Sequence, residues 1–105
     1  MLNELAKEIN EISQAHGWWD KERTFGDFIA LSHSELSEAL EAFRNHEATV
    51  YVKDGKPEGI AVELIDCVIR IFDWCAQVGI DIDEAMKIKM EYNKTRPYRH
   101  GGKEI

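Results

Sequence analysis

The chain has 105 residues, of which 44% are hydrophobic and 31% are charged, and its formal net charge is −7. This length corresponds to a single domain with one core. The chain has 20 acidic and 13 basic residues, which argues against a surface that binds nucleic acid by neutralising phosphates with Lys and Arg. A polyanionic small molecule stays compatible with this charge if a divalent cation lies between its phosphates and the carboxylates. No apolar run reaches the roughly 18 residues of a membrane span, so we expect no membrane partner.

The first half of the chain has the pattern of two helices. Apolar residues recur at helical spacing over residues 2–12 and predict an amphipathic helix, which an aperiodic loop follows at 17–23. Thr24, with Asp27 three residues later, resembles a capping box and predicts the start of a second helix. That helix continues to about Asn45.

The second half predicts two more helices. The turn-forming segment 53–56 precedes Pro57, which suits the first turn of a third helix because its missing amide donor is not needed there. This helix continues to Gly79, a natural C-terminal cap. Asp81 begins a fourth helix, which Pro97 stops. The sequence therefore predicts an all-α fold, a four-helix bundle.

The whole chain, residues 1–105, is predicted to be one domain, with a flexible tail at 98–105. Cys67 and Cys75 are eight residues apart on one predicted helix, about 12 Å along its axis, which exceeds the roughly 7 Å limit between the Cα atoms of a disulfide. Two free thiols and the lack of a secretory pattern at the start lead us to expect a cytoplasmic protein. A helical domain this short also needs a partner to cover a wide apolar face, so we expect a homo-oligomer.

The third predicted helix combines an apolar surface with two acids. Residues 60–75 are apolar nearly all round, which is typical of a helix in the centre of a bundle. Glu63 and Asp66 are three residues apart and leave the helix on one face. Burying their ionised forms is costly without a compensating charge. Ion pairing with Arg70 is the structural alternative to a functional role.

The second predicted helix repeats this spacing with Glu35 and Glu38. Glu35 falls on the stripe that should face the core, although an acidic pair of this kind is also common on a solvated face. Antiparallel packing would bring the pair to Glu63 and Asp66, where four carboxylates repel one another unless cations lie between them. Oxygen ligands without His or Cys select Mg²⁺ or Mn²⁺.

These residues carry a resemblance to a known family. Glu35-Leu36-Ser37-Glu38 followed by Glu63-Leu64-Ile65-Asp66 resembles the ExxE…ExxD signature of the MazG-like, all-α nucleotide pyrophosphohydrolases. Residues 34–44, 79–85 and 89–97 are also similar to segments of that family, the last with its K-x3-N-x2-R pattern. The resemblance covers nearly the whole chain, roughly residues 2 to 100.

The resemblance implies a Mg²⁺-dependent hydrolase that converts a nucleoside triphosphate to its monophosphate and pyrophosphate. Glu35, Glu38, Glu63 and Asp66 are the implied catalytic residues and metal ligands, with Glu38 our first choice as general base. An activated water attacks phosphorus and pyrophosphate leaves. The implied phosphate-binding residues are Lys89, Asn93 and Arg96, for which a solvated basic helix end is the structural alternative.

Aromatic residues before the acidic helix are candidates for holding the base. Trp18 is the expected stacking platform and Phe28 its neighbour, although aromatic residues at such junctions often belong to a core or a dimer interface. Family resemblance favours pyrimidine deoxynucleotides such as dCTP, in a house-cleaning or pool-controlling role. Arg99 and His100 in the tail could close over the phosphates.

Three other interpretations stay open. Phosphoribosyl-ATP pyrophosphohydrolases and dimeric dUTPases share the acidic signature and the attack on a pyrophosphate linkage. A di-iron bundle normally supplies Glu-x-x-His pairs, which the two acidic helices lack. A non-catalytic helical interaction module would need neither a triphosphate nor a cation.

Related short chains assemble as tetramers built from two dimers, and we expect the same assembly here.

Overall fold

The computed structural model describes residues 1–98, which form four α-helices, a short 3₁₀ helix and a β-hairpin. The predicted all-α character is confirmed, and the expected tail lies outside the described residues except for Tyr98. The elements in chain order are α1 (Leu2–Ala15), the 3₁₀ helix (Trp18–Asp20), α2 (Phe25–Arg44), β1 (Tyr51–Lys53), β2 (Lys56–Glu58), α3 (Ile60–Val78) and α4 (Ile82–Thr95).

Local capping signals define the helix boundaries as the sequence predicts. The Thr24 hydroxyl accepts from the Asp27 amide at 3.1 Å, and the Asp27 carboxylate accepts from the Thr24 amide at 2.9 Å, which is the predicted capping box. Asp81 caps α4 by accepting from the Glu84 amide at 3.0 Å. Gly79 ends α3 in the left-handed region, with φ of 80°, as expected for this cap.

The prediction that Pro57 begins the third helix is wrong. Pro57 lies in β2 opposite Val52, in an antiparallel hairpin that turns at Asp54-Gly55. Both turn residues have positive φ, as a two-residue hairpin turn requires. In such a hairpin the pair next to the turn, Lys53 and Lys56, exchanges hydrogen bonds, whereas the next pair, Val52 and Pro57, does not. The missing amide hydrogen of Pro57 therefore costs the sheet no hydrogen bond.

The hairpin closes tightly against the start of α3 at Gly59. The φ of this residue is 116°, and a Cβ atom added there would lie 2.5 Å from the carbonyl oxygen of Thr49. The Thr49 carbonyl also accepts from the Ala61 amide at 3.0 Å. Only glycine permits this approach, and it brings the hairpin to the end of α3 that carries Glu63.

The helix α3 lies between α1 and α2 and packs against both. Small buried residues of α2, Ala39 and Ala42, allow α2 to approach α3 closely. The opposite face of α3 is open: Ile65 is 54% exposed, and Leu64 and Val68 are exposed as well. The expected central position of α3 therefore holds only within this layer of three helices.

The helix α4 is attached mainly through its first turn. Asn3 of α1 accepts from the Ile82 amide at 2.8 Å, and Asp83 of α4 accepts from the Leu2 amide at 2.8 Å. The N-termini of the two helices thus cap each other. Every residue from Glu84 to Thr95 is exposed, so most of α4 projects as an arm.

Cys67 and Cys75 are both free, as their spacing predicts, and burial raises the pKa of the Cys75 thiol. None of the helices within residues 1–98 combines the length and the apolar character needed to cross a membrane.

Candidate active site

A cleft of about 680 Å³ lies over α3, between α1, the 3₁₀ helix and α2. Its wall is mainly apolar and aromatic, and a line of polar groups from α2 and α3 crosses its floor. This combination is typical of a small-molecule site. The polar groups on the floor are Glu35, Asp66, Arg70 and Asp73.

Three of the four predicted carboxylates meet at one end of the cleft, where Glu35 and Asp66 line it and Glu63 lies beside them. Carboxylate oxygens of Glu35, Glu63 and Asp66 all lie within 4.8 Å of one another. Glu35 is buried, as its place on the core-facing stripe of α2 predicts, and the other two are half-buried on α3. The antiparallel packing of α2 and α3 produces this group, which we name the carboxylate cluster.

The fourth predicted carboxylate, Glu38, is exposed and lies next to Glu63. The pKa of Glu63 rises to about 7 because burial disfavours its charged form, because Glu38 reaches it with a hydrogen bond and because neighbouring acids repel its charge. Burial, followed by the charge of Glu35, also raises the pKa of Asp66. Burial is the larger cause of both raised pKa values, and the charges of neighbouring acids add to it.

The donor set fits a hard divalent cation. The cluster offers carboxylate oxygens from two helices and contains no His or Cys, which matches the ligand preference of Mg²⁺ and Mn²⁺. A cation would also relieve the repulsion among these acids, which adds to the effect of burial on the two pKa values. Glu35, Glu63 and Asp66 are therefore the residues that could hold it, with Glu38 beside them.

The cluster has one ion pair inside the cleft. Arg70 Nε donates to Glu35 Oε1 at 2.8 Å, and both side chains are largely buried. The structural alternative considered for Glu63 and Asp66 was pairing with Arg70. Arg70 instead forms its ion pair with Glu35, across the interface between α2 and α3. Glu63, Asp66 and Arg70 therefore lie on the same face of α3, but the arginine forms no ion pair with either of these acids.

A second acid, Asp73, lies farther along the same face of α3 and was not predicted. It is buried and accepts from Asn10 Nδ2 at 2.8 Å and from Ser13 Oγ at 2.7 Å. Trp19 Nε1 donates to both of its oxygens, at 3.1 and 3.2 Å. We name these four residues the Asp73 network, which ties α1 and the 3₁₀ helix to α3.

A signal for the Asp73 network was present in the sequence. Positions 63, 66, 70 and 73 are polar within an otherwise apolar helix, and their alternating spacing of three and four places them on one face. The donors on α1 could not be paired with this stripe from spacing alone, because the pairing depends on how α1 packs against α3.

The predicted base-binding residues both line the cleft. The guanidinium of Arg23 covers the Trp18 ring at 3.7 Å from its centroid, so a base that stacks on this face has to displace Arg23. Phe28 stacks on Trp74 with ring centroids 5.1 Å apart and planes 3° apart. Trp18 thus presents a ring at the cleft, whereas Phe28 forms part of the aromatic wall.

The function of this cleft has to be inferred from its own geometry. No protein-family model, curated protein or solved structure matches the chain. The carboxylate cluster, the Asp73 network and the aromatic wall are the observations that bear on it.

The predicted phosphate-binding residues are not part of the cleft wall. Lys89, Asn93 and Arg96 lie along or just after α4, and none of them lines the cleft. Lys89 Nζ and the Arg96 guanidinium lie 5.1 and 5.6 Å from the Tyr92 ring centroid. Phosphate binding by these residues stays a prediction. It requires α4 to lie close to a carboxylate cluster, so that its basic side chains can reach the phosphates bound there.

Proposed function

We propose that the chain is a MazG-like, Mg²⁺-dependent nucleoside triphosphate pyrophosphohydrolase that releases a nucleoside monophosphate and pyrophosphate. The observation that carries this proposal is the convergence of Glu35, Glu63 and Asp66, two of which, Glu35 and Asp66, line an aromatic-walled cleft. These are members of the two motifs, ExxE and ExxD, on which the family resemblance depends. A polyanion that approaches these acids needs a cation between its phosphates and the carboxylates.

Each carboxylate then has a definite task. Glu35, Glu63 and Asp66 would hold the ion, which supplies charge neutralisation and polarisation of the triphosphate. Glu38 is exposed beside Glu63 and accepts the proton of the attacking water. The water oxygen bonds to phosphorus at the α,β-anhydride, the anhydride P–O bond breaks and pyrophosphate leaves.

We further propose a homo-oligomer, with a tetramer of two dimers favoured. The accessible surface is 8103 Å² for 12.1 kDa, whereas a compact monomer of this mass has about 6,000 Å². The excess is comparable with the loss expected from two interfaces of about 800 Å² per partner. Ile65 on α3 and Ile88 on α4, 54% and 60% exposed, lie on the surfaces that a second copy would cover.

The substrate class follows from the cleft and from the resemblance. The aromatic wall provides flat apolar surfaces for a base, and we propose pyrimidine deoxynucleotides such as dCTP as preferred substrates. The role would be house-cleaning or control of the nucleotide pool. Two free cysteines fit the reducing cytoplasm that we propose as its location.

The decisive experiment measures pyrophosphate release from a panel of canonical and modified dNTPs and NTPs, with Mg²⁺ and with EDTA. We expect metal-dependent release that falls by about 100- to 1,000-fold in Glu63→Ala, as for loss of one group that stabilises the transition state. Glu8→Ala, which removes an exposed acid of α1, is the matched control and should keep wild-type activity.

Two results would contradict the proposal in different ways. A folded wild-type protein that releases no pyrophosphate from any nucleotide excludes the triphosphatase and leaves the non-catalytic module. Release from phosphoribosyl-ATP or dUTP alone assigns the chain to one of the related hydrolases. Analytical ultracentrifugation tests the assembly, and Ile65→Asp should shift it towards smaller species.

A further inference from the structure

Arg70 lies close to both the carboxylate cluster and the ring of Trp18. Its Nε donates to Glu35 in the carboxylate cluster at 2.8 Å, and its guanidinium carbon lies 5.1 Å from the centroid of the Trp18 ring. The side chain lines the cleft and is 29% exposed. It therefore stands between the acids that would hold a cation and the ring that would hold a base.

Most of the N–H donors of Arg70 have no hydrogen-bond acceptor within residues 1–98. A guanidinium has five N–H donors in a planar fork, and within residues 1–98 only Nε–H has a hydrogen-bond acceptor. The terminal nitrogens have no hydrogen-bond partner among the described side chains, although the residue lines the cleft. This leaves the part of the fork that binds phosphate bidentately free for a ligand.

Glu35 is the buried member of the cluster, and a buried carboxylate requires a compensating charge. In the free protein Arg70 supplies that charge. A divalent cation held by Glu35, Glu63 and Asp66 would supply it instead, and the ion pair with Arg70 would then be redundant. Arg70 and the cation consequently compete for the same carboxylate.

We propose that Arg70 is a triphosphate-binding residue that exchanges partners: it neutralises Glu35 in the free protein and turns to a phosphate oxygen when that carboxylate ligates the cation. This inference rests on the proposed function. The Trp18 ring lies within cation–π range of the guanidinium, so the side chain keeps a favourable contact while it changes its acceptor. The exchange leaves neither Glu35 nor Arg70 as an isolated buried charge.

Exchange of partners predicts effects of opposite sign on the two ligands. Removing Arg70 frees Glu35 and increases the negative charge of the cluster, so a cation alone should bind more tightly. The same change removes a donor to the triphosphate, so a nucleotide should bind more weakly. An arginine that merely fixes Glu35 in place would instead help both ligands, and its loss would weaken both.

The experiment compares Arg70→Met with wild type in two separate titrations. Mn²⁺ binding without nucleotide is measured by electron paramagnetic resonance, and binding of the non-hydrolysable α,β-imido analogue of dCTP with saturating Mg²⁺ is measured by calorimetry. We expect Mn²⁺ to bind about threefold more tightly or better, and the analogue to bind about tenfold more weakly or worse. Arg44→Met, which removes an exposed cation at the end of α2, should change neither affinity.

The outcomes separate this inference from the proposed function. Unchanged analogue binding in Arg70→Met, with turnover in the wild type, overturns the inference alone, as does weaker binding of both ligands. A wild type that binds Mn²⁺ but neither binds nor cleaves nucleotides overturns both. If Arg70→Met does not fold, Arg70→Lys serves instead: it keeps the charge but loses the fork, so Mn²⁺ affinity should stay at the wild-type level while analogue affinity falls.

Discussion

Two acidic sites lie on the same face of α3, about two turns apart, and their charges are compensated in different ways. Asp73 accepts from three neutral side chains, which occupy both of its oxygens. The carboxylate cluster has one arginine and otherwise contains acids that repel one another. A carboxylate saturated by donors stabilises a fold, whereas carboxylates with a single donor among them favour the binding of a cation.

The largest difference between the two sites should appear in stability. Asp73→Asn places an amide group against donors from Asn10, Ser13 and Trp19, so we expect a loss of about 2–4 kcal/mol in the free energy of unfolding. Glu63→Gln removes a repelling charge and should not destabilise the protein in EDTA. Urea denaturation of both variants tests this contrast. Equal destabilisation would show that the cluster is as structural as the Asp73 network.

The comparison also shows what the sequence can predict. Glu35 and Glu63 were expected to meet because their spacing and the apolar helices around them dictate which faces pack together. The Asp73 network was not predicted, because its hydrogen bonds join α1 and α3 and depend on how these two helices are aligned against each other. Pro57 was misplaced because a proline suits a helix start and an edge strand equally well. The exposed arm could not be foreseen, because amphipathic spacing does not identify the partner that covers a helix.

The cluster's demand for positive charge gives a prediction for the exposed arm. If Lys89 of α4 grips the triphosphate, Lys89→Ala should raise the KM for dCTP by about tenfold and leave the melting temperature nearly unchanged, because this side chain is exposed. Lys94→Ala removes a neighbouring charge from the same helix and is the control. Equal effects of the two variants would indicate a general field of positive charge instead of a specific contact.

The raised pKa of Glu63 predicts how stability depends on pH without metal. Its pKa is about 7 in the folded protein, against 4.5 for an unperturbed glutamate, so the folded state binds more protons between these values. Stability in EDTA should therefore fall as pH rises from about 4.5 to 7, and Asp66 contributes in the same direction. Thermal denaturation should show a shallower fall in Glu63→Gln. A wild-type protein whose stability rises across this window would contradict the raised pKa of Glu63.

The carboxyls with lowered pKa values make the opposite contribution at lower pH. Hydrogen bonds from Thr24 lower the pKa of Asp27, and those from Asn3 and the Glu84 amide lower the pKa of Asp81. Their stabilisation is present above the unfolded pKa and is lost as pH falls through the folded pKa. If the cluster holds Mg²⁺ as proposed, added Mg²⁺ should remove the fall above pH 4.5 but leave this acid limb unchanged, because Asp27 and Asp81 do not belong to the cluster.

The smallest expected effect concerns Trp18, whose ring is covered by Arg23 at 3.7 Å. A base that stacks there gains about 1 kcal/mol from the ring but has to displace the guanidinium. Trp18→Leu should therefore raise the KM for dCTP only about fivefold, while inhibition by inorganic tripolyphosphate, which has no base, stays unchanged. Weaker inhibition by tripolyphosphate to the same extent would show that Trp18 shapes the phosphate end of the cleft through Arg70 and does not hold the base.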